Sequence, residues 1–95
     1  MSLNIAEEIG QAVHYVRTGA LQQAADIGER ILRAAPSNFD ALHLLGVIRG
    51  MQGDAAEAIR LLSAAVAANP ASNFAHFNLA RALADCGRDQ ESLAP

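Results

Sequence analysis

A fixed period of 34 residues is the feature of this sequence that most narrows what it can fold into. Gly19, Gly53 and Gly87 recur at this interval, and so do Pro36 and Pro70. Several small and apolar positions keep the same offset: Ala24 and Ala58, Ala41 and Ala75, Leu45 and Leu79, Gly46 and Ala80. Such a period is typical of a solenoid, in which each repeat buries its apolar face against its neighbours.

The central unit, residues 38–70, shows what one period encodes. Apolar residues at three- and four-residue steps predict two amphipathic helices. The recurring positions are Leu42, Leu45, Ile48 and Arg49 in the first, and Ala58, Ile59, Leu62, Ala65 and Val66 in the second. Gly53 predicts a left-handed helix end, and Asp54 with Glu57 predicts a capping box at the next helix. Because Pro70 stops the second helix, the unit is predicted to be an antiparallel helical hairpin.

The same reasoning applied to the whole chain predicts an all-α protein of 95 residues in a single domain, 1–95. Full helices are expected near residues 4–18, 21–35, 39–52, 55–69 and 73–86, the last closed by Cys86 and Gly87. A short sixth helix is expected from about Asp89. Ser37 or Asn38 should cap the third helix, and Ser72 the fifth. The repeats should span residues 5–38, 39–72 and, in part, 73–95.

This arrangement resembles the tetratricopeptide repeat family. The family's signature positions in the central unit hold Leu42, Leu45, Gly46, Ala58, Leu62, Ala65 and Pro70. The resemblance implies a right-handed superhelical stack of antiparallel helix hairpins, with two full repeats and a truncated third.

Four positions depart from the family pattern. Arg49 stands where a bulky aromatic residue is usual, and Gly28 is small where the family is usually large. Glu8 and Gln11 replace bulky apolar residues in the first repeat. We interpret these two polar residues as an N-terminal cap, because a terminal repeat has no preceding helix to pack against.

Charge and composition disfavour several classes of function. The formal net charge is −3, and all seven basic residues are arginines dispersed among acidic residues, so no nucleic-acid partner is expected. No apolar run approaches the roughly 20 residues of a membrane span, and the N-terminus lacks a signal-peptide pattern. The single Cys86 cannot form an internal disulfide. We expect a cytoplasmic protein that does not bind membranes.

Candidate catalytic and metal-binding residues do not form a recognisable site. His14, His43 and His76 share no three- or four-residue spacing with one another and no cluster of Cys or carboxylate residues, so no metal site is predicted. Cys86 has no histidine near it in sequence to activate it as a nucleophile. The glycines stand singly, so no phosphate-binding loop is present. We therefore expect no enzymatic activity and no cofactor.

A binding surface is the stronger hypothesis. In stacked hairpins the first helix of each pair lines a concave face. The family resemblance places ten residues there: Ala6, Ile9, Val13, Asp40, His43, Val47, Phe74, Phe77, Asn78 and Arg81. Phe74 and Phe77 should turn partly away from the core, either to bind a partner or to pack against the neighbouring hairpin.

One subtype of the family is not expected. Its members grip the C-terminal carboxylate of chaperones with Lys, Asn and Arg side chains. The matching positions here are Ile9, Val13, Leu44, Phe74 and Asn78, and none of them is cationic. A carboxylate placed there would lose its water without gaining a charged partner.

Three functions remain open. We favour a protein-interaction module with a largely apolar groove for a peptide or partner protein. The repeats also resemble those found ahead of bacterial glycosyltransferase or sulfotransferase domains, which would make this the repeat region of a larger enzyme. A third hypothesis is self-assembly: the incomplete third repeat leaves Leu79, Ala80 and Leu83 poorly covered, and a homodimer is predicted through Leu79, Leu83 and Leu93.

Overall fold

The computed structural model describes the backbone of residues 4–93 and the side chains of residues 4–87. Five helices follow one another: α1 Ile5–Arg17, α2 Leu21–Ala34, α3 Phe39–Met51, α4 Ala55–Ala68 and α5 Asn73–Leu93. Residues 4–93 contain no strand. The first four helices begin and end within one residue of their predicted bounds, so the all-α fold is confirmed. The helices stack as antiparallel hairpins into a short solenoid, 54 Å in its longest dimension.

Local signals set the helix ends. The side chains of Asn4, Asn38 and Asp54 accept hydrogen bonds from the backbone N–H three residues later, at 3.2, 2.9 and 3.2 Å. The Ser72 hydroxyl does the same for α5, at 3.2 Å. These bonds satisfy amide groups that have no partner within the helix, and they confirm the caps expected at Asn38, Asp54 and Ser72.

The turn inside each of the first two hairpins depends on a glycine. Gly19 and Gly53 have φ values of 84° and 85°, the left-handed conformation predicted for Gly53. The capping box at the next helix is only half formed. The Glu57 carboxylate accepts a hydrogen bond from Arg60 Nε at 3.0 Å and does not reach back to Asp54.

The prediction that the fifth helix ends at Cys86 and Gly87, with a sixth helix from about Asp89, is wrong. Helix α5 runs without a break to Leu93. Gly87 does not adopt the positive φ of Gly19 and Gly53. A glycine inside a helix costs only about 1 kcal/mol relative to alanine, so it ends a helix only where the following chain packs back.

Helix α3 lies at the centre of the stack and contacts all four other helices. Its predicted inward residues Leu42, Leu45 and Ile48 are buried, as are Ala58, Leu62 and Ala65 of α4. Leu61 is also buried, although the sequence pattern did not indicate it. Leu61 belongs to the core cluster that also contains buried residues of α1, α2 and α3, whereas Leu62 belongs to a second cluster with Ala82 of α5. The sequence pattern predicted one buried face of α4, whereas other helices cover two faces of it.

Three departures from the repeat pattern have a structural reason. Gly28 leaves room for Leu45, whose Cβ would lie 3.3 Å from a Cβ added at Gly28. Arg49 of α3 forms an ion pair with Glu29 of α2. Glu8 of α1, one of the two polar residues interpreted as a cap, forms an ion pair with Arg30 of α2. Both pairs are partly exposed, so each contributes at most about 1 kcal/mol.

Candidate partner-binding surface

Helices α1, α3 and α5 are the first helices of their repeats, and α3 contacts the other two. The ten residues predicted to bind a partner lie on these helices, and we call them the first-helix surface. None of them is buried in the core. Five are exposed, namely Ala6, Asp40, Phe74, Phe77 and Arg81, and five are half-buried, namely Ile9, Val13, His43, Val47 and Asn78.

A hydrogen bond joins α3 and α5 on this surface. Nδ2 of Asn78 lies 2.8 Å from Nε2 of His43. An amide nitrogen can only donate, so this bond requires an unprotonated Nε2 on the imidazole. Burial lowers the pKa of His43, and the Asp40 carboxylate offsets only part of that effect. The neutral ring that the bond needs is therefore also the form that the environment favours.

The ring of His43 also lies against the ring of Phe39, with centroids 5.5 Å apart. Phe39 is half-buried and packs against the core cluster. The imidazole is therefore held from two sides, by an aromatic ring on its own helix and by an amide on α5. These two contacts of His43 hold α3 and α5 at a defined distance from each other at this point.

A cleft of about 220 Å³ opens beside this contact, between α3, α4 and α5. We call it the α5 cleft. Small residues contribute to its lining: Gly46, Gly50, Ala58 and Ala82. The larger apolar lining residues are Val47, Met51 and Leu62. A Cβ added at Gly50 would meet only the Ala58 Cβ, at 3.8 Å, so the cleft exists because side chains are missing there.

The polar lining residues of the α5 cleft all come from α5. They are Asn78, Arg81 and Asp85, spaced by three and four residues and therefore on one side of the helix. Arg81 is exposed, and no carboxylate of residues 4–87 lies within 4.0 Å of its guanidinium. The cleft thus combines an apolar lining with one cation that makes no ion pair inside the described part of the chain.

The aromatic residues of α5 lie outside the core. Phe74 and Phe77 are 77% and 65% exposed, so neither ring packs into the neighbouring hairpin. Their three-residue spacing places both on one side of α5. Exposed phenyl rings at helical spacing form an apolar surface that a partner can cover.

The residues predicted to mediate self-association differ in their surroundings. Leu79 is half-buried and packs against the cluster of Ala58, Leu62 and Ala82. Leu83, one helical turn further along, is 52% exposed. The side chain of Leu93 lies outside the described residues.

The structure brings some of the predicted binding residues together and leaves others apart. Val47, Asn78 and Arg81 line the α5 cleft, and His43 is bonded to Asn78 at its side. Ala6, Ile9 and Val13 belong to α1 and do not line this cleft. The sequence reasoning missed Gly50 and Met51. The available signal was the four-residue spacing of Gly46 and Gly50, which places two residues without side chains on one face of α3.

Other kinds of site have little support in the described residues. Among them, no group of three His, Cys, Asp or Glu side chains is arranged to hold a metal ion. None of the helices within residues 4–93 combines the length and the apolar character that a membrane span requires. Cys86 is a half-buried free thiol.

Comparison with known proteins places these observations in a family. Residues 40–95 match the family model described as "Tetratricopeptide repeat". No curated protein sequence matches the chain significantly.

Two solved structures have a similar fold. A mutant of the Thermobaculum terrenum O-GlcNAc transferase is 34% identical, with a TM-score of 0.77 over 87% of this chain. The chain spans only 17% of that transferase. A mutant of the protein MamA is 25% identical, with a TM-score of 0.79 over 97% of this chain and 67% of its own length.

Proposed function

Because the chain belongs to the tetratricopeptide repeat family, we propose that it is a non-catalytic protein-interaction module. Its first-helix surface would form a concave groove for a peptide or a partner protein. The observation that carries the proposal is that all ten residues of this surface are exposed or half-buried, including two strongly exposed phenylalanines. The core does not bury these side chains, so they are available to a partner.

We expect residues of α3 and α5 to contribute most of the binding free energy and to form the centre of the groove. Binding energy usually concentrates in a few aromatic, arginine or other large side chains that a partner desolvates. Phe74, Phe77 and Arg81 provide such side chains on α5, and His43 and Val47 provide adjoining contacts on α3. The positions on α1, which are Ala6, Ile9 and Val13, carry no aromatic ring and no charge, and we place them at one end of the groove.

The test uses peptides selected from a random display library of about 12 residues, long enough to cross a groove of this kind, against the purified chain. In an NMR titration with a selected peptide, the largest amide shifts are expected around His43, Val47, Phe77 and Arg81. Phe77→Ala should weaken binding at least tenfold, about 1.4 kcal/mol, as expected for a buried aromatic contact. Arg33→Ala, an exposed change on α2, should leave the affinity unchanged. Shifts confined to α2 and α4 would contradict the proposed groove.

A second candidate function rests on the similarity to the transferase. The 34% identity over 87% of this chain supports the alternative that the repeats belong to a larger bacterial enzyme. In that case the groove would present substrate or partner proteins to a catalytic domain elsewhere in the protein. The reading frame beyond Pro95 decides this alternative, because a glycosyltransferase or sulfotransferase domain must follow if it is correct.

Self-association is a third candidate, favoured by the exposure of Leu83. Two chains packed about a two-fold axis through α5 would cover this side chain, and full burial of a leucine contributes about 1.5–3 kcal/mol. We expect a mass that rises toward a dimer with concentration in sedimentation equilibrium. Leu83→Glu should keep the protein monomeric while circular dichroism shows the helices intact. A monomer mass at every concentration, or a dimer that Leu83→Glu leaves unchanged, would rule this interface out.

A further inference from the structure

We propose that the α5 cleft is an anchor pocket for one apolar side chain of the bound peptide, and that Arg81 binds a carboxylate beside that side chain. This inference rests on the proposed function and makes it specific. It assigns to the partner a Leu, Met or Phe residue with an Asp or Glu close to it in sequence.

The size of the cleft suits one large side chain. Its volume is about 220 Å³, and apolar cavities of about 150 Å³ are large enough to hold a benzene ring. A leucine, methionine or phenylalanine side chain therefore fits. The main chain of the peptide would stay outside, across the mouth of the cleft.

The lining of the cleft favours an apolar occupant. Gly46, Gly50, Ala58 and Ala82 offer small surfaces without charges or polar side-chain groups. Met51 is exposed at the wall, and its flexible thioether chain can adapt to side chains of different shapes. An apolar side chain entering here would remove its own surface and that of Met51 from water.

The charge of Arg81 predicts which kind of residue lies next to the apolar side chain in the partner's sequence. Arg81 is the only cation that lines the cleft in the described structure, and it has no carboxylate partner among residues 4–87. A guanidinium binds a carboxylate through two parallel N–H···O bonds.

The decisive variant fills the cleft. Gly50→Leu places a leucine side chain where the peptide's apolar residue would bind, and its Cβ meets only Ala58 at an ordinary contact distance of 3.8 Å. Peptides selected against the wild-type chain should contain Leu, Met or Phe within about two residues of Asp or Glu. Their affinity for Gly50→Leu should fall at least tenfold, as for loss of a central contact. Gly50→Ala should give a smaller loss.

Ala34→Leu is the control, because Ala34 is an exposed residue of α2 and lies outside the first-helix surface. It should bind like the wild type. If Gly50→Leu does not fold by circular dichroism, Met51→Gln replaces it. This change puts a polar group on the exposed wall and should also lower affinity.

The role of Arg81 is tested with a double-mutant cycle. Arg81→Gln should weaken binding of an acidic peptide by up to about fivefold, the upper limit for an exposed ion pair. The same peptide with its Glu changed to Gln should bind both proteins with similar affinity. Equal loss for the two peptides would show that no carboxylate contacts Arg81 and would overturn this part of the proposal.

The possible failures are distinguishable. Peptides that shift α3 and α5 resonances but bind Gly50→Leu as tightly as wild type would overturn the pocket and leave the groove standing. Peptides that shift only α2 and α4 would overturn both. A third outcome is that the wild-type chain self-associates, that Gly50→Leu abolishes this self-association in sedimentation equilibrium, and that no selected peptide competes with self-association. In that case the cleft binds a second copy of the chain, and the peptide proposal is wrong.

Discussion

Replacing Leu45 with alanine is expected to lower the free energy of unfolding by about 2–5 kcal/mol. Leu45 is only 3% exposed and belongs to the cluster that joins α1, α2, α3 and α4. Its side chain packs against the backbone of Gly28. Backbone atoms cannot move to fill the void that an alanine side chain would leave. Urea denaturation followed by circular dichroism measures the effect as a lower midpoint with an unchanged slope.

Leu83→Ala is the matched control for Leu45→Ala, because it removes the same atoms from a half-exposed site. Its effect on the free energy of unfolding should stay below about 1 kcal/mol, since little packed surface is lost. Equal midpoints for Leu45→Ala and the wild type would mean that Leu45 does not belong to the core.

Replacing Gly46 with leucine is expected to destabilise the protein by about 1–3 kcal/mol or more through overpacking. A Cβ added at Gly46 would lie 2.7 Å from Leu62 Cγ and 2.9 Å from its Cδ2, far inside a van der Waals contact. Leu61 Cβ would lie 3.3 Å away. Both leucines are buried, so neither can move aside without disturbing the contact between α3 and α4.

A single methyl group should already reveal this clash. Gly46→Ala is expected to destabilise the protein, even though alanine is favoured over glycine inside a helix by about 1 kcal/mol. Gly10→Ala makes the same change where nothing lies within 4 Å, and it should stabilise the protein by up to that amount. A loss of stability for Gly46→Ala together with a gain for Gly10→Ala, measured by thermal or urea denaturation, supports the close approach of α3 and α4. The same sign for both would contradict it.

Sequence reasoning located the helices well because helix ends depend on local groups. Asn38 and Ser72 accept hydrogen bonds from amides three residues away, and Gly53 turns the chain within its own loop. Such interactions can be inferred from a few neighbouring residues. The same reasoning failed at Gly87, because a glycine marks a turn only if the chain beyond it packs back on the preceding helix.

Side-chain contacts between helices were not predictable in the same way. Glu8 pairs with Arg30 and Arg49 with Glu29, at separations of 22 and 20 residues, and His43 meets Asn78 across 35 residues. No period in the sequence indicates which polar side chains will meet when the hairpins stack. The burial of Leu61 was missed because the sequence pattern gave α4 one inward face, whereas Leu61 belongs to a core cluster different from that of Leu62.

The sequence by itself determined the repeat, the first four helices and the residues that face inward on α3, since all of these follow from spacing along one chain segment. Only the tertiary structure decided what the two glycines of α3 do. Both glycines border the α5 cleft, but a Cβ at Gly46 would lie 2.7 Å from Leu62, whereas a Cβ at Gly50 would meet only Ala58 at 3.8 Å. The sequence shows two residues without side chains. Whether each gap is filled depends on the angle and distance at which α4 and α5 pack against α3.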